Sequence, residues 1–167
     1  MHIVLHQPEI PANTGNIGRT CAATGTGLHL IEPLGFRLNE KEIRRAGMDY
    51  WERLQVSRYV NYERFLEENP GARIWYATTK AKRVYSDVVF LPGDYLMFGK
   101  ESGGIPEEIL AEHETQCIRI PMLEGTRSLN LSNSVAVVLY EALRQNGFAD
   151  LEKEGKLHRL TWKEEDN

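Results

Sequence analysis

Short apolar runs recur along this chain at intervals filled by helix-like segments. Residues 3–5, 28–31, 55–59, 74–77, 95–98 and 117–120 read as strands, and residues 15–24, 40–46, 62–68 and 106–112 between them read as helices. That alternation is the pattern of strands joined by crossover helices around a parallel sheet. The first helix gathers Ile17, Cys21 and Thr24 on one face and stops in Gly25-Thr26-Gly27, where a glycine suits a left-handed C-terminal cap. Pro106 fits the first turn of its helix, because the amide hydrogen it lacks has no partner there. The strongest period comes last, with Leu131, Val135, Val138, Leu139 and Ala142 on one stripe and Gly147 just beyond it; this helix is expected to pack on the sheet.

Nothing in this pattern marks an internal boundary. Residues 1–147 read as one α/β domain, a single parallel sheet flanked by helices, and residues 148–167 as a charged C-terminal tail. The length of 167 residues suits one core. With 41% hydrophobic and 26% charged residues the composition is that of a globular domain. No stretch has the apolar length of a spanning helix or a signal peptide, so a cytoplasmic protein away from membranes is expected. Cys21 and Cys117 stand far apart outside any CxxC pair, and both read as small buried hydrophobes rather than metal ligands.

The formal net charge is −4, of which the tail from Asp150 onward supplies −2 through six acids and four bases. A polyanionic partner must therefore meet local patches. Two clusters offer them: Arg37, Lys41, Arg44 and Arg45, and then Lys80, Lys82 and Arg83.

Three segments hold more Gly, Asn, Ser and charge than turns require: 11–19, 98–106, and 120–122 running on to 128–134. Each follows an expected strand and opens an expected helix, so all three should converge outside the carboxyl ends of the sheet, where ligands of open α/β sheets bind. Glycines there let backbone amides come close to a nucleotide-like molecule. There is no GxGxxG after the first strand and no GxxxxGK[ST], which argues against a dinucleotide enzyme or a P-loop phosphotransferase. Ser102 is not in a GxSxG elbow, and the five histidines lack metal or triad spacing. Glu101 reads either as a general acid or base or as an acceptor for the amides of its glycine turn. Arg19 reads either as a clamp on phosphate or hydroxyl or as a surface arginine, and Asn13 and Asn130 read by default as helix caps.

The stretches NTGNIGRTCAATG, MFGKESGGIP and IPM continuing to SLNLSNSVAVVLYE, with IEPLGF and RRAGMDYW between the first two, resemble in this order the three motifs of the SPOUT superfamily of RNA methyltransferases. They are most similar to its short TrmL-type members, tRNA 2'-O-methyltransferases of the wobble nucleotide. The resemblance spans residues 1 to about 147. It implies a homodimer, a C-terminal trefoil knot that chain-connection rules alone would not yield, and one S-adenosylmethionine held in that knot without a metal. It implies a catalytic set of Arg19, Asn13, Ser128 and Asn130, with Arg19 activating or orienting the target hydroxyl. It implies cofactor contacts from Ala77, Thr78, Gly99, Glu101, Ile120, Met122, Ser128 and Leu129, and with tRNA as the substrate the basic clusters become its expected contacts at the anticodon region, through Arg44, Arg45, Lys80, Lys82 and Arg83. Ser102-Gly103 departs from the Thr-Arg usual in that family, leaving Lys100 as the neighbouring cation. The expected activity is methyl transfer to the 2'-hydroxyl of nucleotide 34 of tRNA. The alternatives are an rRNA 2'-O-methyltransferase and a non-catalytic RNA- or nucleotide-binding module of the same fold.

Overall fold

The structure is a computed structural model that describes residues 1–37 and 54–162. The helix expected at 40–46, and Lys41, Arg44 and Arg45 with it, lie outside the described residues. Six strands, β1 (His2–His6), β2 (Gly27–Ile31), β3 (Val56–Tyr59), β4 (Ile74–Ala77), β5 (Tyr95–Phe98) and β6 (Cys117–Ile118), form one sheet in the order β3-β2-β1-β5-β4-β6. Every pairing is parallel. The α-helices among the described residues are α1 (Pro11–Thr24), α2 (Tyr62–Glu68), α3 (Glu107–Glu112) and α4 (Leu131–Gln145).

The central strands are apolar on both faces because helices cover both. Ile3, Leu5, Leu28, Leu30, Leu96 and Phe98 share a core with Ile17 and Cys21 of α1 and with Val135, Val138 and Leu139 of α4. Val4, Ile31 and Met97 point the other way, onto Phe65 of α2 and Leu110 of α3, as the two-residue period of a strand dictates. The order reverses at β1, which lies between β2 and β5; connections diverge to either side there, opening a crevice at the carboxyl ends.

Two elements differ from the sequence reading. Helix α1 starts at Pro11, four residues before the expected Gly15, because Pro11 needs no amide partner at the first position. Strand β6 ends at Ile118 rather than at 120. Its partner β4 ends at Ala77, opposite Ile118, and Arg119 turns to the crossing segment instead, bridging to Val84 and bonding Arg83 and Tyr85 through the main chain. The expected caps at the helix ends are present: Gly25 stands at φ 64° and donates its amide to Cys21, and Gly147 follows α4 at φ 67°.

At the opposite end of the sheet from the crevice, buried His29 lies between His2 (Nδ1 to Nε2, 3.0 Å) and the Tyr59 hydroxyl (2.9 Å). Burial, and secondarily the charge of His2, push the His29 pKa down to about 4. An unfolded chain takes up that proton near pH 6.5, so the neutral histidine stabilises the fold above that pH, and this stability is lost as pH falls toward 4. The expected loss is about 3 kcal/mol. Urea midpoints measured between pH 7 and 4.5 should show it, and a His29→Asn variant should lose this component of the slope. Parallel slopes in the two proteins would exclude His29 as its source.

Candidate active site

A cavity of about 930 Å³ opens at the carboxyl ends of the strands. Its wall is made by the loops after β4, β5 and β6, the turn into α4, and the start of α1. All eight residues expected to hold a cofactor, Ala77, Thr78, Gly99, Glu101, Ile120, Met122, Ser128 and Leu129, line it, together with Asn13, Asn130 and Lys80. Three segments that lie far apart in sequence therefore meet at one place.

Hydrogen bonds fasten them to each other. The Glu101 carboxylate accepts from the Glu9 amide at 2.8 Å, the Ile10 amide at 3.2 Å and the Asn13 side chain at 2.9 Å. It thus serves the amides of the β1–α1 loop, not those of its own glycine turn. With three N–H donors on its two oxygens it fastens the β5 loop to the start of α1. The grip is reciprocal: the Glu9 carboxylate accepts from the Ser102 amide at 2.9 Å and from its hydroxyl at 2.8 Å. The bonds from Ser102, hydroxyl first, hold the Glu9 carboxyl below the usual carboxylate range.

Asn13 is not a helix cap. It is the third residue of α1, buried, and its carbonyl accepts from Asn130 Nδ2 at 3.0 Å while its amide donates to Glu101. Asn130 does cap α4, accepting from the Ser132 and Asn133 amides. Glu101, Asn13 and Asn130 form one chain of side chains across the three loops. Sequence reading missed Glu9 as a member of this clasp, and also Arg127, which lines the wall; both stand in segments already rich in turn residues, which was the available signal.

Glycine is required at residue 99. A Cβ placed there would lie 1.9 Å from the carbonyl carbon of Gly104 and 2.1 Å from the amide nitrogen of Ile105, because the loop returns across its own beginning through a Gly104–Lys100 main-chain bond of 2.8 Å.

The remaining candidates lie elsewhere. Arg19 is exposed on α1, six residues past Asn13, which is about 9 Å along the axis and off the cavity-facing side; it does not line the cavity. Lys82 pairs with Glu114 at 2.6 Å and Arg83 donates to the Thr115 carbonyl at 3.2 Å, both outside the wall. Lys80, on the wall, pairs with Glu107 at 2.7 Å. Lys100 and Arg127 also line the wall, and neither carries an ion pair among the described residues. Arg44 and Arg45 fall outside the described residues.

Comparison with known proteins follows the same outline. The SpoU rRNA Methylase family model matches residues 1–140. A tRNA (cytidine(34)-2'-O)-methyltransferase of Aeromonas hydrophila is 53% identical over 150 residues, 89% of this chain and 96% of the relative. A structure solved to explain the 2-OH methylation of C/U34 on tRNA superimposes with a TM-score of 0.82 at 46% identity, covering 87% of this chain and 95% of the other. An AdoMet-bound rRNA methyltransferase from Sinorhizobium meliloti aligns at 26% identity with a TM-score of 0.75, over 86% of this chain and 55% of its own.

Proposed function

Since the chain belongs to the SpoU rRNA Methylase family, we propose that it transfers a methyl group from S-adenosylmethionine to the ribose 2'-hydroxyl of the wobble nucleotide, cytidine or uridine 34, of tRNA. One observation carries the choice of substrate: the 53% identity over 89% of the chain with an enzyme named for that reaction. The rRNA methyltransferase aligns at half that identity, which makes rRNA the weaker reading.

The residues present fit the cofactor. The cavity volume falls within the usual range for small-molecule sites. Ile120, Met122 and Leu129 give an apolar wall suited to a flat base, and around Gly99 and Gly104 main-chain groups can be approached closely. S-adenosylmethionine supplies a methyl group already activated by its sulfonium, so the protein need supply little covalent chemistry. The Glu101–Asn13–Asn130 clasp keeps the three loops at fixed separation, which is a contribution of position and prepaid entropy. Ser128 and Asn130 face the same space. Arg19 acts as a charged clamp on the target nucleotide. Because it stands away from its own chain's cavity, the reading includes a homodimer in which one protomer's Arg19 serves the cavity of its partner.

The trefoil knot and a cytoplasmic location belong to this reading and rest on the family. Residues 1–147 carry the reaction and residues 148–167 form the appended tail. Lys80, Lys82 and Arg83, with Arg44 and Arg45, meet the anticodon region. The ion pairs of Lys80 and Lys82 are exposed and therefore weak, so phosphates can replace the carboxylates.

Nucleoside mass spectrometry of tRNA and rRNA from cells with and without the protein tests the function. A 2'-O-methylated pyrimidine nucleoside missing from the tRNA fraction is expected. Loss from rRNA instead would move the substrate there, and no loss from either would leave a binding module.

A further inference from the structure

Six cations of the described body are paired with carboxylates. Arg58 pairs with Glu32, Arg64 with Glu67 and Glu68, Arg73 with Asp94, Lys80 with Glu107, Lys82 with Glu114, and Arg144 with Glu141. A protein of net charge −4 that binds a polyanion draws on local groups of cations. Among the described residues, Lys100 and Arg127 at the cavity wall and Lys153, Lys156 and Arg159 in the tail form no ion pair, and neither do Arg37, Arg83 and Arg119 elsewhere in the body.

The tail leaves the core in two steps. Phe148 and Leu151 pack against the sheet's main core cluster, and α4 is held at its end by Gln145 and Asn146, which bond the main chain of Val88 and Phe90. From Glu152 to Trp162 the chain is exposed, with neither helix nor strand. The stretch Lys156-Leu157-His158-Arg159-Leu160-Thr161-Trp162 contains no carboxylate, and Leu160 and Trp162 are 75% and 70% exposed. Cations interleaved with an open aromatic ring match what single-stranded or looped RNA offers, phosphates at regular spacing and unstacked bases. Trp162 stands eleven residues on from Leu151, enough for roughly 36–40 Å when extended. That exceeds the ~22 Å length of α4, whose far end carries the cavity. The tail lies beyond the part matched by the family model, which ends at residue 140.

We propose that residues 156–162 form an RNA-binding arm that grips the substrate tRNA away from the reacting nucleotide, with Lys156 and Arg159 on phosphates and Trp162 stacked on a base. The arm rests on the tRNA reading above and adds affinity without touching the reaction.

The test uses the full-length protein and unmodified substrate tRNA. Wild type, Lys156→Glu/Arg159→Glu and Trp162→Ala are compared for tRNA affinity across salt, for kcat and KM, for S-adenosylhomocysteine affinity, and for sedimentation and melting. The double reversal is expected to weaken tRNA binding about tenfold or more and to flatten the log–log salt slope by roughly 1.4, the value for two phosphates on a single strand. Trp162→Ala is expected to weaken it about fivefold or more. KM should rise while kcat, cofactor affinity and melting stay as in wild type, because these side chains are exposed. Wild-type affinity and slope in both variants would overturn the arm and leave the tRNA reading standing. Failure of the wild type to bind tRNA would overturn both. A change in sedimentation with an unchanged salt slope would assign the tail to contact between protein copies, and would also overturn the arm.

Discussion

Arg19→Ala is expected to lower methyl transfer to tRNA by ~10²–10⁴-fold, the range for losing a group that handles the transferred proton or the developing charge. Affinity for S-adenosylhomocysteine should hold, because Arg19 lies outside the cavity wall. The fold should hold as well, since the side chain is exposed on α1 and alanine is the best helix former. Two roles are open to an arginine here. Guanidinium groups remain protonated in proteins, which favours a clamp that fixes a phosphate and steadies the developing alkoxide while water or a phosphate oxygen takes the proton. The rival role is that of a base, which requires proton loss beside a cationic sulfonium. Arg19→Lys separates them. A residual rate rising log-linearly with pH through the lysine range would support the base, and a flat profile the clamp. If Arg19 serves the partner's cavity, mixing Arg19→Ala with a cavity-dead variant should restore part of the activity in mixed dimers. Full activity of Arg19→Ala would return the residue to an ordinary surface position.

The sheet was legible in the sequence because parallel strands covered on both faces must be apolar throughout, and β4 and β5 fall where the apolar runs place them. The wall of the cavity was legible through glycine and asparagine content. What connects the loops was not. The bonds from Glu101 to Glu9, and from Glu9 to Ser102, join residues 92 and 93 positions apart, and no local pattern encodes a partner at that distance. Asn13 misled for a related reason: an asparagine near a helix start reads as a cap, whereas tertiary acceptors and donors from two other loops claimed its amide. The end of β6 was misplaced because its apolar run outlasts the strand beside it. The tail's charge was plain in the sequence, but only the structure shows that residues 152–162 are exposed and lie outside any helix or strand.

Gly99→Ala is expected to weaken cofactor binding by about a hundredfold or more and to lower the melting temperature, the second large effect. The methyl group it adds would meet main-chain atoms of Gly104 and Ile105 at 1.9–2.4 Å, well inside any van der Waals contact, and main chain cannot swing aside as a side-chain end can. Either the loop opens at the Gly104–Lys100 bond or residue 99 backs away from the wall. Each movement carries Glu101 with it and slackens its bonds to Glu9, Ile10 and Asn13. Overpacking of this kind costs at least about 2 kcal/mol, which in a chain of this size lowers melting by roughly 4–8 °C. The three-loop clasp spans the cavity, so S-adenosylhomocysteine affinity should drop by about a hundredfold or more, a loss of roughly 2.7 kcal/mol. Gly103→Ala is the matched control. Its Cβ would come within 3.1 Å only of Lys100 Cε, the mobile end of a long side chain, and so both melting and cofactor affinity should stay near wild type. Calorimetry and thermal melting of the two variants side by side decide the point. Equal behaviour of Gly99→Ala and Gly103→Ala would show that the close return of the loop on Gly99 does not hold the site together.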